Sequence, residues 1–286
     1  MQQSSAIVTV LACLALALAG CGGGTDVSPE EHAARMAAEH AGDTPEANPM
    51  SSAEGEPAST GQGAVYATVD GEPVEGFLAR PPDWAAGGPA VLVIHEWWGL
   101  NDNVRMMARR LADAGFLTLA VDLYGGATAD DPERARELMQ AVDEAQALDN
   151  LSQARAFVAG ELQAGRIGVM GWCFGGGWSL RAGLHMPEQL DAVVIYYGHL
   201  VADPERLQVL EMPILGHFGE TDQGIPLDEV RAFETALTEV GADATIHVYP
   251  GAGHAFANPS GRNYEPDAAE TSWQRTVEFL DQTLKE

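Results

Sequence analysis

Short apolar runs separated by helical patterns recur through most of the chain, and this alternation constrains the fold more strongly than any other feature. The runs are mostly continuous in apolar residues, which is typical of strands buried on both faces of a parallel sheet. They cover residues 90–95, 116–121, 166–170, 192–197, 213–218 and 244–249. We therefore predict an α/β protein with a mostly parallel sheet that carries helices on both faces.

A hairpin and several helices complete the predicted domain. Residues 65–69 and 74–80 alternate apolar and polar side chains around Asp70-Gly71-Glu72-Pro73, which predicts an antiparallel hairpin at the edge of the sheet. The expected N-cap of the first helix is Asp102. Helical patterns cover residues 103–114, 132–142, 144–161, 227–240 and 268–284.

One turn in this pattern carries a thiol. The motif Gly171-Trp172-Cys173-Phe174-Gly175 follows an apolar run and precedes a helical stretch, as in a nucleophile elbow with cysteine as the nucleophile. The positive end of the following helix would favour the thiolate. The alternative is a free cysteine that is simply buried beside a glycine-rich turn.

The N-terminus has the features of an export signal. Residues 7–19 form an apolar run that is too short to span a bilayer, and Leu18-Ala19-Gly20-Cys21 resembles a bacterial lipobox. We expect residues 1–20 to be a signal peptide and Cys21 to be lipidated, which would anchor the protein to a membrane facing the periplasm or the cell exterior. Residues 2–5 lack the usual positive charge, and an uncleaved anchor or a buried helix is the alternative.

Residues 21–63 are rich in Ala, Glu, Pro, Gly, Ser and Thr and contain almost no large apolar side chains. This composition predicts a disordered acidic stalk, in which His32 and His40 are solvated and bind no metal. The folded domain is expected to cover residues 64–286. Its single cysteine is Cys173, so no structural disulfide is available to it.

The charge of the chain excludes several classes of partner. With 42 acidic residues against 15 Lys and Arg, the net charge is −27, which opposes binding to nucleic acid and to anionic lipids. The only lysine is Lys285, which fits either a salty habitat or a GC-rich genome. We expect a monomer that meets a membrane only through its lipid anchor.

Polar residues follow the predicted strands where ligands bind in open parallel sheets. The order of Cys173, Asp222 and His254 along the chain is that of nucleophile, acid and histidine in α/β-hydrolases. A histidine can take the thiol proton, and a carboxylate on its other ring nitrogen fixes the tautomer. Taken singly, the aspartate is more typical of a turn or cap and the histidine of a core or surface position.

Together with the elbow, two further motifs carry a resemblance over residues 64–286. They are His95-Glu96-Trp97-Trp98-Gly99 and Val121-Asp122-Leu123-Tyr124. The chain resembles the dienelactone hydrolase (carboxymethylenebutenolidase) family of the α/β-hydrolase superfamily. The resemblance implies a Cys-His-Asp triad that cleaves an ester or lactone through a thioester.

The resemblance also assigns roles around the nucleophile. It implies that the backbone N–H groups of Trp97 and Phe174 form the oxyanion hole. It further implies that Glu96 accepts the thiol proton when substrate arrives, so that Cys173 need not rest as a thiolate. A strand-end carboxylate paired with an arginine is the alternative for Glu96.

Substrate-binding residues match the family only in part. Arg136 matches an arginine that contacts the substrate carboxylate, Tyr197 matches a pocket tyrosine, and Tyr124 and Trp98 are further candidates for the pocket. A second family arginine is replaced by Asn258, with Arg262 as a speculative substitute, and a family tyrosine is replaced by Gln140. These replacements favour a neutral substrate.

Other functions are less well supported by the sequence. A non-catalytic binding or scaffold lipoprotein on the same fold is the main alternative, and a thiol redox role lacks a C-x-x-C partner. The histidines lie apart along the chain and no metal motif is present, so we expect no metal. The elbow lacks the G-x-G-x-x-G spacing of a dinucleotide turn, and no other cofactor motif is found.

Overall fold

A computed structural model describes residues 29–41, 43, 45 and 58–285, and the side chains from residue 34 onward. The predicted signal peptide and the lipidation site Cys21 lie outside the described residues. None of the helices in the described part of the chain combines the length and the apolar character that crossing a bilayer requires.

Eight strands form one sheet with the order β1-β2-β4-β3-β5-β6-β7-β8. The first two are antiparallel, β2 pairs antiparallel to β4, and all other neighbours are parallel. The strands are β1 (Gly61–Val69), β2 (Glu72–Ala79), β3 (Ala90–Ile94), β4 (Leu117–Val121), β5 (Ile167–Trp172), β6 (Ala192–Tyr196), β7 (Ile214–Gly219) and β8 (Ala244–Tyr249). The predicted fold class and the edge hairpin are confirmed.

The helices of the described residues connect these strands or flank the sheet. They are α1 (Pro29–Glu39), α2 (Asp102–Asp113), α3 (Pro132–Ala141), α4 (Glu144–Gly160), α5 (Phe174–His185), α6 (Pro204–Leu207), α7 (Leu227–Val240) and α8 (Pro266–Leu284). The N-cap of α2 is Asn101, whose side chain accepts a hydrogen bond from Val104 N, and Asp102 is the first helical residue. The prediction of Asp102 as the cap was therefore wrong by one position.

The central strands are buried along their whole length, as the continuous apolar runs predicted. Every residue of β3, β4, β5, β6 and β7 is buried. Burial on both faces requires apolar side chains at successive positions, because neighbouring side chains point to opposite faces. The core therefore lies on both sides of the sheet and holds its carboxyl edge in a fixed shape.

The predicted disordered stalk contains ordered residues. Pro29–Glu39 forms α1, His40 and Asp43 are buried, and β1 begins at Gly61 instead of residue 65. Composition alone misjudged this segment because Met36 and His40 find partners in the folded domain. Burying a methionine side chain contributes roughly 1.5–3 kcal/mol, which helps to offset the ordering of the segment. The side chain of His32 lies outside the described residues.

The corner between β5 and α5 packs tightly against the end of β3. A Cβ atom on Gly175 would lie 2.2 Å from the carbonyl oxygen of Ile94 and 2.6 Å from that of His95. Both neighbours are backbone atoms, so they cannot move aside as a flexible side chain would. Glycine is therefore required on the helix side of the elbow.

We predict that Gly175→Ala lowers the free energy of unfolding by about 3 kcal/mol, because backbone of β3 and α5 must separate. Gly160→Ala is the matched control, since a Cβ there meets nothing within 4 Å. Because Gly160 is the last residue of α4, alanine there should stabilise the helix by at most about 0.5–1 kcal/mol relative to glycine. Urea denaturation measures both changes, and equal effects of the two substitutions would contradict the packing argument.

Candidate active site

The backbone at Cys173 adopts a conformation that non-glycine residues rarely accept. Its φ is 54° and its ψ is −115°, directly between the end of β5 and the start of α5. Such strain costs on the order of 1–3 kcal/mol and persists where the surrounding structure fixes it. The Cys173 N–H donates to the Tyr196 carbonyl over 3.0 Å, which ties the corner to β6. The strained strand-to-helix corner expected from the motif is present.

His254 and Asp222 form a buried pair beside this corner. Asp222 follows β7 and His254 follows β8, and these neighbouring parallel strands bring the two loops together. His254 Nδ1 lies 2.8 Å from Asp222 Oδ2, and both side chains are fully buried. The other Asp222 oxygen accepts from the N–H groups of Gly224 and Ile225 at 2.7 and 2.9 Å. The carboxylate is thereby held in place to orient the ring.

The charges of this pair act on the thiol. Burial by itself raises the pKa of Cys173, but the positive charge of His254 and the contacts with His254 and His40 lower it to about 6. Burial likewise lowers the pKa of His254, while Asp222 and Cys173 raise it well above its ordinary value. Between them these charges favour a thiolate on Cys173 beside an imidazolium on His254.

Glu96 lies next to Cys173 at the carboxyl edge of the sheet. Ile94 pairs with Gly171 in the parallel ladder, and Glu96 and Cys173 each follow two residues later, just beyond the ends of β3 and β5. Burial and the nearby Cys173 raise the pKa of Glu96 to about 8, although His40 and His254 act in the opposite direction. The carboxyl group is therefore protonated near neutral pH.

Asn258, the residue that replaces the second family arginine, has a specific contact in this structure. Its Nδ2 donates to Glu96 Oε2, while its Oδ1 accepts from Ser260 N at 2.9 Å and Ser260 Oγ at 2.6 Å. Asn103 Nδ2 lies 3.4 Å from the same oxygen. These contacts fix which end of the amide faces Glu96, so Asn258 orients that carboxyl group.

The segment around α1 covers the thiol. Met36 Sδ and His40 Nε2 each lie 3.8 Å from Cys173 Sγ, and Cys173 is only 2% exposed. The His40 ring stacks on Trp97 with 4.5 Å between ring centroids. The prediction that His40 is a solvated stalk residue was wrong, because tertiary contacts with the aromatic wall and the thiol bury it.

Arg35 and Arg262 attach this segment to the domain. Arg35 pairs with Glu229 of α7, and Arg262 Nη2 donates to the Glu39 carbonyl over 2.8 Å. Arg262 Nε also lies 3.8 Å from Asp43 Oδ1. Arg262 therefore contacts the N-terminal segment, which gives it a different task from the substrate clamp considered from the sequence.

Aromatic side chains surround the thiol and the histidines. Trp97 and Trp98 are buried with 5.0 Å between their ring centroids, and Tyr197 packs on His254 at 5.2 Å. Tyr124 packs on Phe174 at 5.4 Å. Among the described residues, Trp97 Nε1 and the hydroxyls of Tyr124 and Tyr197 are buried without a hydrogen-bond partner. The wall thus offers free polar groups to a substrate.

The two predicted oxyanion donors, Trp97 and Phe174, follow neighbouring strands of the sheet. Phe174 is the first residue of α5, where a backbone N–H has no acceptor inside the helix. Trp97 lies three residues beyond the end of β3. The role of both N–H groups in the oxyanion hole stays a prediction.

Arg136, the expected carboxylate-binding residue, lies on a surface helix. It lies on α3 with an exposed side chain, as does Gln140, and within the described residues no hydrogen bond or ion pair joins Arg136 to Cys173, His254 or Glu96. Its contact with a substrate carboxylate stays a prediction.

Sequence reasoning missed two residues of the site, Met36 and His40, and one contact, that of Asn258 with Glu96. The first two lie in a segment with a composition typical of disorder, and nothing local signals their partners. The histidines lie apart along the chain, but the fold brings His40 and His254 together, with 5.2 Å between their ring centroids. For Asn258 the sequence did carry a signal, because this residue stands where the family has its second arginine.

Comparisons with known proteins agree over most of the chain. Residues 74–284 match the model of the dienelactone hydrolase family. A protein of Aquifex aeolicus named as a carboxymethylenebutenolidase is 33% identical over 225 residues, covering 76% of this chain and 96% of its own. A protein of Saccharolobus solfataricus with the same name is 30% identical over 261 residues, covering 77% and 98%.

A solved structure gives the same result. A crystal structure from Klebsiella pneumoniae, named as a dienelactone hydrolase, superposes with a TM-score of 0.72 at 30% identity, covering 79% of this chain and 99% of its own. The sheet, the elbow and these matches define an enzyme of the α/β-hydrolase fold that hydrolyses carboxylic esters. Within that class, the chain belongs to the dienelactone hydrolase family. The predicted family and enzyme class are confirmed, and the non-catalytic alternative is not favoured.

We predict that the thiolate of Cys173 forms as the pH rises through about 6, its lowered pKa. The ultraviolet absorbance of the thiolate, taken as the difference between the full chain and its Cys173→Ser variant, should rise through that pH and level off above it. His40→Gln removes a contact that lowers the pKa, so the transition should move to higher pH. His185→Gln, at an exposed position on α5, should leave it unchanged. A transition above pH 8 in the unmodified chain would contradict the assignment.

Proposed function

We propose that this enzyme hydrolyses a small, neutral ester or lactone through a thioester on Cys173. The observation that carries the proposal is the buried Asp222–His254 pair beside a thiol held at a strained elbow. One ring nitrogen of His254 lies within 4.8 Å of the sulfur, and Nδ1 is engaged by Asp222, which leaves Nε2 for the thiol. This is the arrangement that an activated nucleophile requires.

The first half of the reaction forms the acyl-enzyme. The Cys173 thiolate attacks the carbonyl carbon, a C–S bond forms, and the carbonyl oxygen becomes an oxyanion that accepts hydrogen bonds from the N–H groups of Trp97 and Phe174. Collapse of this intermediate breaks the C–O bond to the leaving group. The departing alkoxide takes the proton from the His254 imidazolium and leaves as an alcohol, or stays attached as a hydroxyl if the substrate is a lactone.

The second half releases the acid. Neutral His254 removes a proton from water, and the resulting hydroxide attacks the thioester carbonyl. The C–S bond breaks, the thiolate is restored beside the imidazolium, and a carboxylic acid departs. Asp222 remains ionised throughout and stabilises the imidazolium.

Glu96 has a supporting role in this scheme. Protonated near neutral pH and held by Asn258, it presents no negative charge to the thiolate. Ionisation of Glu96 above about pH 8 would place a second negative charge in the same buried space. We therefore assign Glu96 an electrostatic role: by keeping its proton, it adds no negative charge beside the thiolate.

The preference for a neutral substrate rests on the arginines. Arg136 is exposed on α3, and Arg262 is engaged with Glu39 and Asp43. A carboxylate in the substrate would lack a guanidinium partner beside buried carboxyl groups, which is unfavourable. An ester oxygen, in contrast, can accept from Trp97 Nε1 or from the free tyrosine hydroxyls.

Substrate has to displace part of the N-terminal segment. Met36 and His40 contact the sulfur directly, and little of Cys173 is accessible. The ion pair between Arg35 and Glu229 is partly exposed, and such pairs contribute only about 0–1 kcal/mol. Moving α1 aside therefore costs mainly the exposure of Met36 and His40, roughly 1.5–3 kcal/mol for the methionine side chain, which substrate binding has to offset.

We predict that Cys173→Ala and His254→Ala each lower kcat/KM for short p-nitrophenyl esters by roughly 10³-fold or more. Residues that act as one unit are not additive, so the double variant should be no slower than the slower single variant. Cys173→Ser should keep only a little activity, and the exposed His185→Ala should keep all of it. An unaffected rate in Cys173→Ala would sink the thioester mechanism.

We also propose that the protein is exported and carries a lipid on Cys21. The lipobox-like Leu18-Ala19-Gly20-Cys21 after an apolar run supports this. Labelled palmitate should enter the full chain in a bacterial host and should be absent from the Cys21→Ala variant. Equal labelling of the two proteins, or none in either, would contradict the proposal.

A further inference from the structure

Two histidines and the thiol converge in one buried cluster. Cys173 Sγ and one ring nitrogen each of His40 and His254 all lie within 4.8 Å of one another, and all three residues are buried. Sγ and His40 Nε2 are 3.8 Å apart. The hydrolytic mechanism uses Cys173 and His254 but gives no task to His40. Residue 40 also precedes the residues 74–284 that match the family, so the match does not account for it.

Each histidine is oriented by its own carboxylate. His254 Nδ1 lies 2.8 Å from Asp222 Oδ2, and His40 Nδ1 lies 3.0 Å from Asp43 Oδ2. A carboxylate on Nδ1 fixes the tautomer and turns Nε2 toward the cluster. The same second contact accompanies nearly every histidine that binds a metal in proteins. His254 Nε2 is buried and has no hydrogen-bond partner among the described residues.

We propose that His40, Cys173 and His254 form a binding site for a thiophilic divalent cation, with Zn²⁺ as the best fit. A thiolate and two imidazoles are ligands that zinc prefers, and a fourth position is left for water. Zinc bonds of about 2.0–2.3 Å place tetrahedral ligands roughly 3.3–3.6 Å apart. The observed 3.8 Å between Sγ and His40 Nε2 requires only a small inward shift.

The surroundings favour a positive ion. Asp43 and Asp222 lie directly behind the two histidines, and Glu96 contributes a buried oxygen, Oε1, that has no partner within the described part of the chain. Arg262 approaches the other oxygen of Asp43 and leaves Oδ2 to His40. A divalent cation would compensate the negative charge gathered in this buried space.

The site has two consequences for the enzyme. A metal bound to Cys173 and His254 lowers the nucleophilicity of the sulfur and occupies the imidazole nitrogen that moves the proton, so the loaded protein is inactive as a hydrolase. Because His40 comes from the N-terminal segment, the metal also fastens this segment over the thiol. Metal binding itself does not depend on the proposed hydrolysis.

Cobalt binding tests the site directly. The full chain is stripped of metal with a chelator, kept reduced, and titrated with Co²⁺, whose bond to a thiolate gives a charge-transfer band. We expect saturation at one Co²⁺ per chain, displacement by Zn²⁺, and loss of the band in Cys173→Ser. This last variant also separates Cys173 from the thiols of Cys13 and Cys21.

Variants of the N-terminal segment test the part of the site that is specific to this chain. His40→Gln should weaken Co²⁺ binding by about 100-fold or more, and Asp43→Asn, which keeps the ligand but removes its orienting carboxylate, by about 10–100-fold. His185→Gln should bind as the unmodified chain does. A loss of affinity in His40→Gln alone could come from displacement of α1. Asp43→Asn keeps the His40 ligand, so weaker binding in this variant as well points to the metal site.

The outcomes separate this site from the proposed hydrolysis. A missing charge-transfer band, a band that persists in Cys173→Ser, or unchanged affinity in both His40→Gln and Asp43→Asn would overturn the metal site. A chain that binds Co²⁺ as expected but hydrolyses no ester would support the site and contradict the proposed function. A chain that hydrolyses esters and binds no Co²⁺ would support the proposed function and contradict the metal site.

Discussion

The close approach of the β5–α5 corner to the end of β3 is the constraint on which the site depends. Glycine at position 175 lets backbone pass against backbone, and this packing holds Cys173 at a positive φ with its sulfur above the sheet. The parallel register then sets Glu96 beside it, while the loops after β7 and β8 deliver Asp222 and His254. Each of these groups reaches the thiol because the carboxyl ends of parallel strands share one edge.

Charge compensation is the second organising principle of the site. A thiolate, an imidazolium and several carboxyl groups share a space from which water is largely excluded, and isolated charges there would be costly. At a separation of 4 Å, attraction between unit charges is about 4 kcal/mol with an effective dielectric constant of 20. The positive charge of His254 stabilises the thiolate of Cys173. Glu96 keeps its proton and so adds no further negative charge.

The N-terminal segment changes how this site is understood. Its residues Met36 and His40 contact the sulfur, and an additional imidazole thereby enters the cluster. The segment is attached both by buried contacts of Met36 and His40 and by the arginines Arg35 and Arg262, whose side chains are partly exposed. Access to the thiol and the ligands around it are thus set by residues outside the family-matched region.

The sequence by itself determined the sheet, the elbow and the order of Cys173, Asp222 and His254. Each of these follows from a local pattern, namely continuous apolar runs, glycine spacing and polar residues directly after strands. Only the tertiary structure decided the roles of His40 and Asn258. Their partners lie 133 and 162 residues away along the chain, at Cys173 and Glu96 respectively. Local composition reports the cost of ordering a segment, but only the packed fold supplies the contacts that offset it.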